Sequence, residues 1–132
     1  MLRKFSTFVD LLRYRALHQP DQIAFTFLQD GETELGSLTY QELDRQARAI
    51  AAMLQSLNAK DERALLLYPP GLEFICAFFG CLYAGAIAVP AYPPRPNRSI
   101  SRVQAIVADA QARFALTAKS LLTSVESRLG ES

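Results

Sequence analysis

The stretch from Phe74 to Val89 runs for 16 residues without a charged side chain. A helix that spans a bilayer needs about 20 apolar residues, so this stretch is too short to cross a membrane. Gly85 interrupts it and Pro90 follows it, and both residue types break regular structure. We therefore predict a buried helix over Leu72 to Ala84 that leads into a core strand over Ile87 to Val89.

Two other short apolar runs have the character of strands. Arg63 to Tyr68 is continuously apolar without alternation, which indicates a strand covered on both faces. Phe114 to Thr117 is predicted to be a further strand of the parallel type. Ser99 can cap a helix after the strand predicted over Ile87 to Val89. Lys119 to Leu129 has a helical pattern after the strand predicted over Phe114 to Thr117. Strand and helix thus alternate three times, which predicts right-handed crossovers and a parallel sheet with helices on both faces. The helix predicted after Ser99 has one apolar face, made of Ile100, Val103, Ile106, Val107 and Ala110.

The first third of the chain predicts a helix followed by a hairpin. Thr7 can cap a helix that runs to about Ala16, before Gln19-Pro20 stops it. Ile23 to Leu28 is expected to be a strand, and the turn Asp30-Gly31 follows it. Leu35 to Leu38 is its candidate hairpin partner.

A second helix has both a start and a stop signal. Thr39 followed by Glu42 three residues later is the pattern of a capping box. The helix is expected to run to about Leu57, where Asn58 can adopt a left-handed conformation. Its buried stripe is predicted to hold five residues: Leu43, Ala47, Ile50, Met53 (or Ala51) and Leu54.

The composition excludes several classes of function. The formal net charge is +1, so the chain has no overall attraction to nucleic acid or to an anionic membrane. Cys76 and Cys81 are five residues apart and do not share a helical face, so we expect buried, reduced thiols in a cytoplasmic protein. His18 is the only histidine, and a role at a helix C-terminus suits it best. The sequence therefore offers no Ser/His/Asp triad of the usual kind and no cluster with metal-ligand spacing. It also shows no signal peptide.

A stiff, basic segment follows the predicted core strand. Pro90, Pro93, Pro94 and Pro96 fix the backbone and remove amide donors, so the segment is expected to end the strand. Its place is the carboxyl end of a core strand, where open α/β sheets bind ligands. Two interpretations of the basic residues stay open: contact with a phosphate or an acidic partner, or structural ion pairs that cover a missing lobe. The basic residues are Arg95, Arg98 and Arg102.

Four stretches carry a family resemblance. "LTYQEL" at 38–43 resembles the first core motif of the adenylate-forming superfamily, and "CLYAGAIAVPAYPP" at 81–94 resembles the second. The continuation "PAYPPRPNRSISRVQAIVADAQARFALT" at 90–117 is similar to the fatty acyl-AMP ligase branch, and "FVDLLRYRALHQPDQIAFTFLQDGE" at 8–32 fits the start of those proteins. The resemblance covers essentially the whole chain.

The resemblance implies a two-step reaction. A fatty acid is activated with ATP and Mg²⁺ to an acyl-adenylate, and the acyl group then passes to the thiol of an acyl carrier protein. The chain has no Ser/Thr/Gly-rich phosphate loop that ends in Pro-Lys-Gly. We therefore expect residues 1–132 to be the N-terminal portion of a longer AMP-dependent synthetase domain, inactive and without bound ATP or metal by itself. No catalytic, cofactor-binding or metal-binding residue is carried over.

Two alternatives remain at this point. The chain could instead begin an acyl-CoA synthetase, because the insertion that separates the two branches is not among its residues. A non-catalytic α/β interaction module is the alternative from a different class, because every nucleotide-binding motif is missing. The Pro/Arg segment is expected to be a rigid crossover, and docking of the acidic carrier protein on Arg95 and Arg98 is a second hypothesis for it.

Overall fold

The computed structural model describes residues 7–29, 31, 33–91, 104–105, 108 and 112–118. Within these residues lie three helices with defined bounds, a few residues of a further helix, and five strands. The strands form an antiparallel hairpin and a parallel three-stranded sheet. In chain order the elements are α1 (Phe8–His18), β1 (Ile23–Gln29), β2 (Thr33–Thr39), α2 (Tyr40–Ser56), β3 (Arg63–Leu67), α3 (Leu72–Ala84), β4 (Ile87–Ala91) and β5 (Phe114–Thr117).

The first helix and the hairpin follow the sequence prediction. The Thr7 side chain accepts a hydrogen bond from the Asp10 amide, as the N-cap of α1. The helix continues two residues beyond the predicted end and finishes at His18, whose ring lies 4.3 Å from that of Tyr14. Strands β1 and β2 pair antiparallel, and Gly31 between them has a positive φ of 75°. Since α1 ends at His18, the predicted place of this histidine at the C-terminus of a helix is confirmed.

The capping box at the start of α2 is present in full. Thr39 Oγ1 accepts from the Glu42 amide at 3.1 Å, and the Glu42 carboxylate accepts from the Thr39 amide at 3.0 Å. The helix ends at Ser56, and Asn58 then adopts the predicted left-handed conformation with φ 57°. Of the two residues left open for the stripe, Ala51 is buried, whereas Met53 is 43% exposed.

The parallel sheet has the strand order β4–β3–β5, with β3 in the centre. Neighbouring residues of a strand point to opposite faces. Since Ala64, Leu65, Leu66 and Leu67 are all fully buried, both faces of β3 are covered. The prediction of a parallel sheet built around this apolar run is confirmed.

Strand β4 differs from the prediction in its end and in its burial. It continues through Pro90 to Ala91, which pair with Leu66 and Leu67 of β3, so the predicted end at Val89 is wrong. A proline ends a strand only where its missing amide would have bonded to the neighbour. Ile87 is 48% exposed, so β4 is an edge of the described sheet and not the core strand that was predicted.

Helix α3 has the predicted bounds and joins two hydrophobic clusters. Its residues Ala77 and Cys81 pack with Leu54 of α2 and Leu66 of β3 in one cluster. Cys76 packs with Leu12, Leu38 and Leu43 in the other cluster, which connects α1, the hairpin and α2. The core therefore lies between α2, α3 and the sheet, and it fixes how α3 leaves the end of β3.

Other predictions fall mostly or wholly outside the described residues. Gln104, Ala105 and Ala108 are helical, as predicted for the helix after Ser99. The remainder of that helix, the helix predicted over Lys119 to Leu129 and the segment from Pro93 to Arg102 lie outside them. None of the helices in the described part of the chain has the length and hydropathy that crossing a membrane requires.

Candidate functional site

The carboxyl edge of the parallel sheet is the place where this architecture can build a ligand site. Strand β4 lies on one side of β3, and the chain then returns so that β5 lies on the other side. In open α/β sheets, ligands bind beyond the carboxyl ends of the strands where the strand order reverses. In this chain that position is beyond Leu67 of β3 and Thr117 of β5, which form the last pair of the register.

A side-chain hydrogen bond ties the two strand ends together at this position. Thr117 Oγ1 donates to the Leu67 carbonyl oxygen at 2.7 Å. Tyr68 follows Leu67 directly, and the loop Pro69–Pro70–Gly71 then leads into α3. Gly71 has φ 158° and precedes α3 without a side-chain cap. A short, stiff connection therefore places the N-terminus of α3 close to the candidate crevice.

The electrostatics of this edge suit binding more than proton transfer. Burial is the main cause that raises the pKa of Tyr68 to about 12, and the nearby Glu73 carboxylate adds to it. A phenol with this pKa stays neutral near pH 7, so Tyr68 can donate a hydrogen bond but cannot serve as a base. The Tyr68 hydroxyl at this edge can thus position a ligand.

The opposite, amino edge of the sheet is closed by backbone hydrogen bonds. The Asp61 amide donates to Gly85 O at 2.9 Å, and the Ile87 amide donates to Glu62 O at 2.8 Å. Arg113 forms an ion pair with Glu62 at 3.4 Å and lies over the ring of Phe114. These contacts join the segments that enter β3, β4 and β5, so the amino edge is a structural part of the fold.

The two cysteines are buried and free, as the sequence predicted. Burial raises the pKa of both Cys76 and Cys81 to about 11, so neither is a thiolate near neutral pH. Cys76 Sγ also donates to Gln46 Oε1 at 3.1 Å. These thiols are parts of the core and have none of the features of a nucleophile. The described residues also contain no group of three or more His, Cys, Asp or Glu side chains that could hold a metal ion.

The structure brings together a different set of residues from the one that the sequence singled out. Arg95, Arg98 and Arg102 lie outside the described residues, as do Pro93, Pro94 and Pro96. Sequence reasoning missed Tyr68 and Thr117. The only available signal was their position, because each lies at the end of a predicted parallel strand.

A model of one protein family, described as "AMP-binding enzyme", matches residues 12–131. The chain is 56% identical over 117 residues to the medium-chain-fatty-acid–[acyl-carrier-protein] ligase JamA of Moorena producens, which covers 86% of the chain. It is 36% identical over 131 residues to Disco-interacting protein 2 of Drosophila melanogaster, which covers 96% of the chain. The chain spans 20% of the length of JamA and 7% of the length of the Drosophila protein.

A solved structure shares the fold. The fatty acyl-adenylate ligase of Legionella pneumophila, crystallised with acyl adenylate and pyrophosphate, superposes with a TM-score of 0.83 at 44% identity. The superposition covers 91% of this chain and 21% of the ligase. The chain therefore spans about a fifth of the length of that ligase.

Proposed function

Since this chain belongs to the AMP-binding enzyme family, we propose that it is the N-terminal part of a fatty acyl-AMP ligase that charges an acyl carrier protein. The observation that carries the proposal is the 56% identity to a fatty-acid–[acyl-carrier-protein] ligase over 86% of the chain. The 44% identity to a ligase that holds acyl adenylate and pyrophosphate supports the same chemistry.

The proposed reaction has two displacement steps. A carboxylate oxygen of the fatty acid attacks the α-phosphorus of ATP, the bond to the bridging oxygen of the β-phosphate breaks, and pyrophosphate leaves. The thiol of the carrier protein then loses its proton and attacks the carbonyl carbon of the acyl-adenylate, and AMP leaves with the bonding electrons. The first step needs cations and oriented dipoles against the charge on the phosphates. Such a reaction also needs an apolar channel for the acyl chain.

The contribution of this chain is the framework at one side of that site. Strands β3 and β5 end side by side, and Thr117 holds the carbonyl of Leu67. The neutral hydroxyl of Tyr68 and the N-terminus of α3 lie beside the same edge. This arrangement can orient a ligand, while the groups that bind the phosphates are expected in the longer polypeptide.

The described residues offer no cluster that suits Mg²⁺, and the sequence lacks the phosphate loop of the family. No acidic, histidine or cysteine cluster among them could hold a metal ion. The sequence has no phosphate loop that ends in Pro-Lys-Gly. We therefore assign neither the metal site nor any catalytic residue to the described residues, and we propose that the chain is inactive by itself.

Isothermal titration calorimetry of the purified chain with ATP and Mg²⁺ tests whether the chain binds nucleotide by itself. We expect no measurable binding of ATP or of an acyl-adenylate analogue. Tight nucleotide binding by the 132-residue chain would contradict the assignment of the phosphate site to another part of the enzyme. Circular dichroism of the same preparation would show that the chain is folded.

The acyl acceptor is tested in the longer gene product. We expect the acyl group to pass to a carrier protein that bears phosphopantetheine, and free coenzyme A to be a poor acceptor. Equal or faster transfer to coenzyme A would favour the acyl-CoA synthetase alternative. Replacing Arg95 and Arg98 with Ala in that enzyme tests carrier docking, because unchanged transfer would remove the docking role from these residues.

A non-catalytic interaction module is the second candidate. The observation in its favour is the 36% identity, across 96% of the chain, to a relative whose name describes an interaction and no reaction. A longer gene product that lacks a phosphate loop and releases no pyrophosphate would favour this candidate. Fatty-acid-dependent release of pyrophosphate would exclude it.

A further inference from the structure

Two partly buried tyrosines use their hydroxyl groups differently. The Tyr83 hydroxyl donates to Asp44 Oδ1 at 2.7 Å and so serves the contact between α3 and α2. Among the described residues, none forms a hydrogen bond with the Tyr68 hydroxyl. No side-chain oxygen or nitrogen in this part of the chain is both buried and without a hydrogen-bond partner, so the Tyr68 hydroxyl reaches solvent. It is therefore available to a ligand.

The remainder of Tyr68 is held by the fold. Its side chain packs against the core cluster that contains Leu66 and Ala77. The carbonyl oxygen that accepts from Thr117 Oγ1 at 2.7 Å belongs to the peptide group between Leu67 and Tyr68. Because this group is planar, a bond that holds the carbonyl oxygen also restrains the amide nitrogen of Tyr68. Thr117 thus fixes the point from which the Tyr68 side chain projects.

Tyr68 also lies where this architecture binds ligands. It directly follows Leu67, which forms the last pair of β3 with Thr117 of β5. Ligands of open α/β sheets bind beyond such strand ends. A side chain that is already ordered by the core and by a neighbouring strand loses little conformational freedom when it binds, and this favours affinity.

The charge beside Tyr68 disfavours a phosphate as its partner. Glu73 is the acidic residue in the first turn of α3. Burial is the main cause that raises the pKa of Tyr68, and the Glu73 carboxylate lies close enough to add to it. That carboxylate would repel a second anion at the same place. An uncharged acceptor, such as an amide carbonyl or a ring nitrogen, accepts a hydrogen bond without this repulsion.

We propose that the Tyr68 hydroxyl donates a hydrogen bond to an uncharged acceptor of a substrate of the longer enzyme, and that Thr117 is the positioning residue for it. The inference rests on the proposed function, because two substrates of that reaction carry such acceptors. ATP has ring nitrogens in its adenine, and the phosphopantetheine arm of the carrier protein has amide carbonyls.

Steady-state kinetics of a chimera test the proposal. In the chimera, this chain replaces the matching part of the Legionella ligase, and KM is measured for ATP and for pantetheine as the acyl acceptor. Tyr68→Phe should raise one of these KM values about three- to tenfold and leave kcat unchanged, because one hydrogen bond to an uncharged group is lost. A rise for ATP assigns the acceptor to adenine, and a rise for pantetheine assigns it to an amide. The inhibition constant of pyrophosphate, which offers only phosphate oxygens, should not change.

Tyr83→Phe is the matched control, because it removes the same atom from a tyrosine whose hydroxyl serves the fold. It should lower the stability of the chimera towards urea and leave both KM values unchanged. Tyr68→Phe should have the reverse effects.

The positioning role of Thr117 is tested with two variants of the same chimera. Thr117→Val removes the donor to Leu67 while it keeps a β-branched side chain, and it should raise the same KM as Tyr68→Phe. Thr117→Ser keeps the donor and should restore that KM. A Thr117→Val chimera that loses stability with both KM values unchanged would show that this threonine serves the fold alone.

Two results would overturn the role of Tyr68. Unchanged KM values for both ATP and pantetheine in the Tyr68→Phe chimera would show that the hydroxyl contacts neither substrate. Weaker inhibition by pyrophosphate in that variant would show that the hydroxyl serves a phosphate.

Failure of this inference can be distinguished from failure of the proposed function. A chimera that forms acyl-adenylate with KM values insensitive to Tyr68→Phe contradicts only the role of Tyr68. A folded chimera that forms no acyl-adenylate contradicts the proposed function. Calorimetric titration of that chimera with ATP and with pantetheine still tests Tyr68, because Tyr68→Phe should weaken the binding of one of them about three- to tenfold. Equal affinities with and without the hydroxyl would contradict its role.

Discussion

Gly80 of α3 lies directly against Ile50 of α2. A Cβ atom built on Gly80 would come within 2.5 Å of Ile50 Cγ2, 2.7 Å of Ile50 Cβ and 3.3 Å of the Ala47 carbonyl oxygen. The β-branched side chain of Ile50 is stiff and cannot move away easily. The distance between α2 and α3, and with it the position of the core, therefore depends on this glycine.

Gly80→Ala is expected to destabilise the chain by about 1–3 kcal/mol, because the added methyl group forces the helices apart. Urea denaturation followed by circular dichroism measures the change. Gly36→Ala is the matched control, because its Cβ would meet only Leu72 Cδ1 at 3.4 Å. A loss of stability no larger for Gly80→Ala than for Gly36→Ala would contradict the close approach of α2 and α3.

The hydrogen bond between α3 and α2 gives a second prediction. The Tyr83 hydroxyl donates to Asp44 Oδ1 at 2.7 Å, and Arg48 pairs with the other carboxylate oxygen at 3.0 Å. Tyr83→Phe should cost about 1–2 kcal/mol, since a largely buried carboxylate loses one partner. A double-mutant cycle with Asp44→Ala, which removes the acceptor oxygen, measures the coupling. Strictly additive effects of the two changes would show that the bond adds nothing to stability.

The capping box at the start of α2 predicts that the chain loses stability when the Thr39 hydroxyl is removed. Thr39→Ala removes the oxygen that accepts from the Glu42 amide and should cost about 1 kcal/mol. Thr26→Ala serves as the control, because Thr26 is an exposed strand residue without a capping role. Thermal denaturation of both variants provides the comparison. Similar midpoints for the two variants would mean that the cap does not stabilise α2.

Low pH should also weaken this capping box, because it protonates the Glu42 carboxylate. The Thr39 amide, which donates to the Glu42 carboxylate, holds the pKa of Glu42 below its ordinary value. A carboxyl group with a lowered pKa stabilises the folded state above its ordinary pKa, and this contribution is lost as the pH falls through the lowered value. The stability difference between the natural chain and Glu42→Gln should therefore shrink at low pH. A difference that is constant from neutral to acidic pH would contradict the prediction.

The buried thiols predict a decline of stability at alkaline pH. Burial raises the pKa of Cys76 and Cys81 from 9.0 to about 11. The folded state therefore holds these thiols neutral, and their contribution is complete below pH 9.0 and is lost as the pH rises toward about 11. Stability measured across this range should fall less in a Cys76→Ala, Cys81→Ala variant.

A disulfide-exchange reagent should leave both thiols unmodified in the folded chain at pH about 8 and modify both after denaturation. Rapid modification of the folded chain would contradict their burial.

The sequence predicts features that depend on neighbours along the chain. The Thr39 and Glu42 box, the left-handed Asn58 and the bounds of α3 are local, and the structure has each of them where it was predicted. The parallel order of the sheet also follows from the alternation of strands and helices, because few topologies suit that alternation.

Features that depend on contacts across the fold could not be predicted in this way. Pro90 belongs to β4 because its missing amide faces outward, and the sequence alone does not fix that direction. The choice between Ala51 and Met53 depends on where α3 packs against α2. The bond from Thr117 to Leu67 spans 50 residues of sequence, so the candidate crevice becomes visible only when the strands are placed side by side.

The central claim is that these residues form one side of an adenylating enzyme and need the remainder of that enzyme for activity. The most direct test is fatty-acid-dependent release of pyrophosphate from ATP by the isolated chain and by its chimera with the Legionella ligase. We predict no release by the folded chain alone and release above background by the chimera. Release by the chain alone, or none by a folded chimera, would contradict the claim.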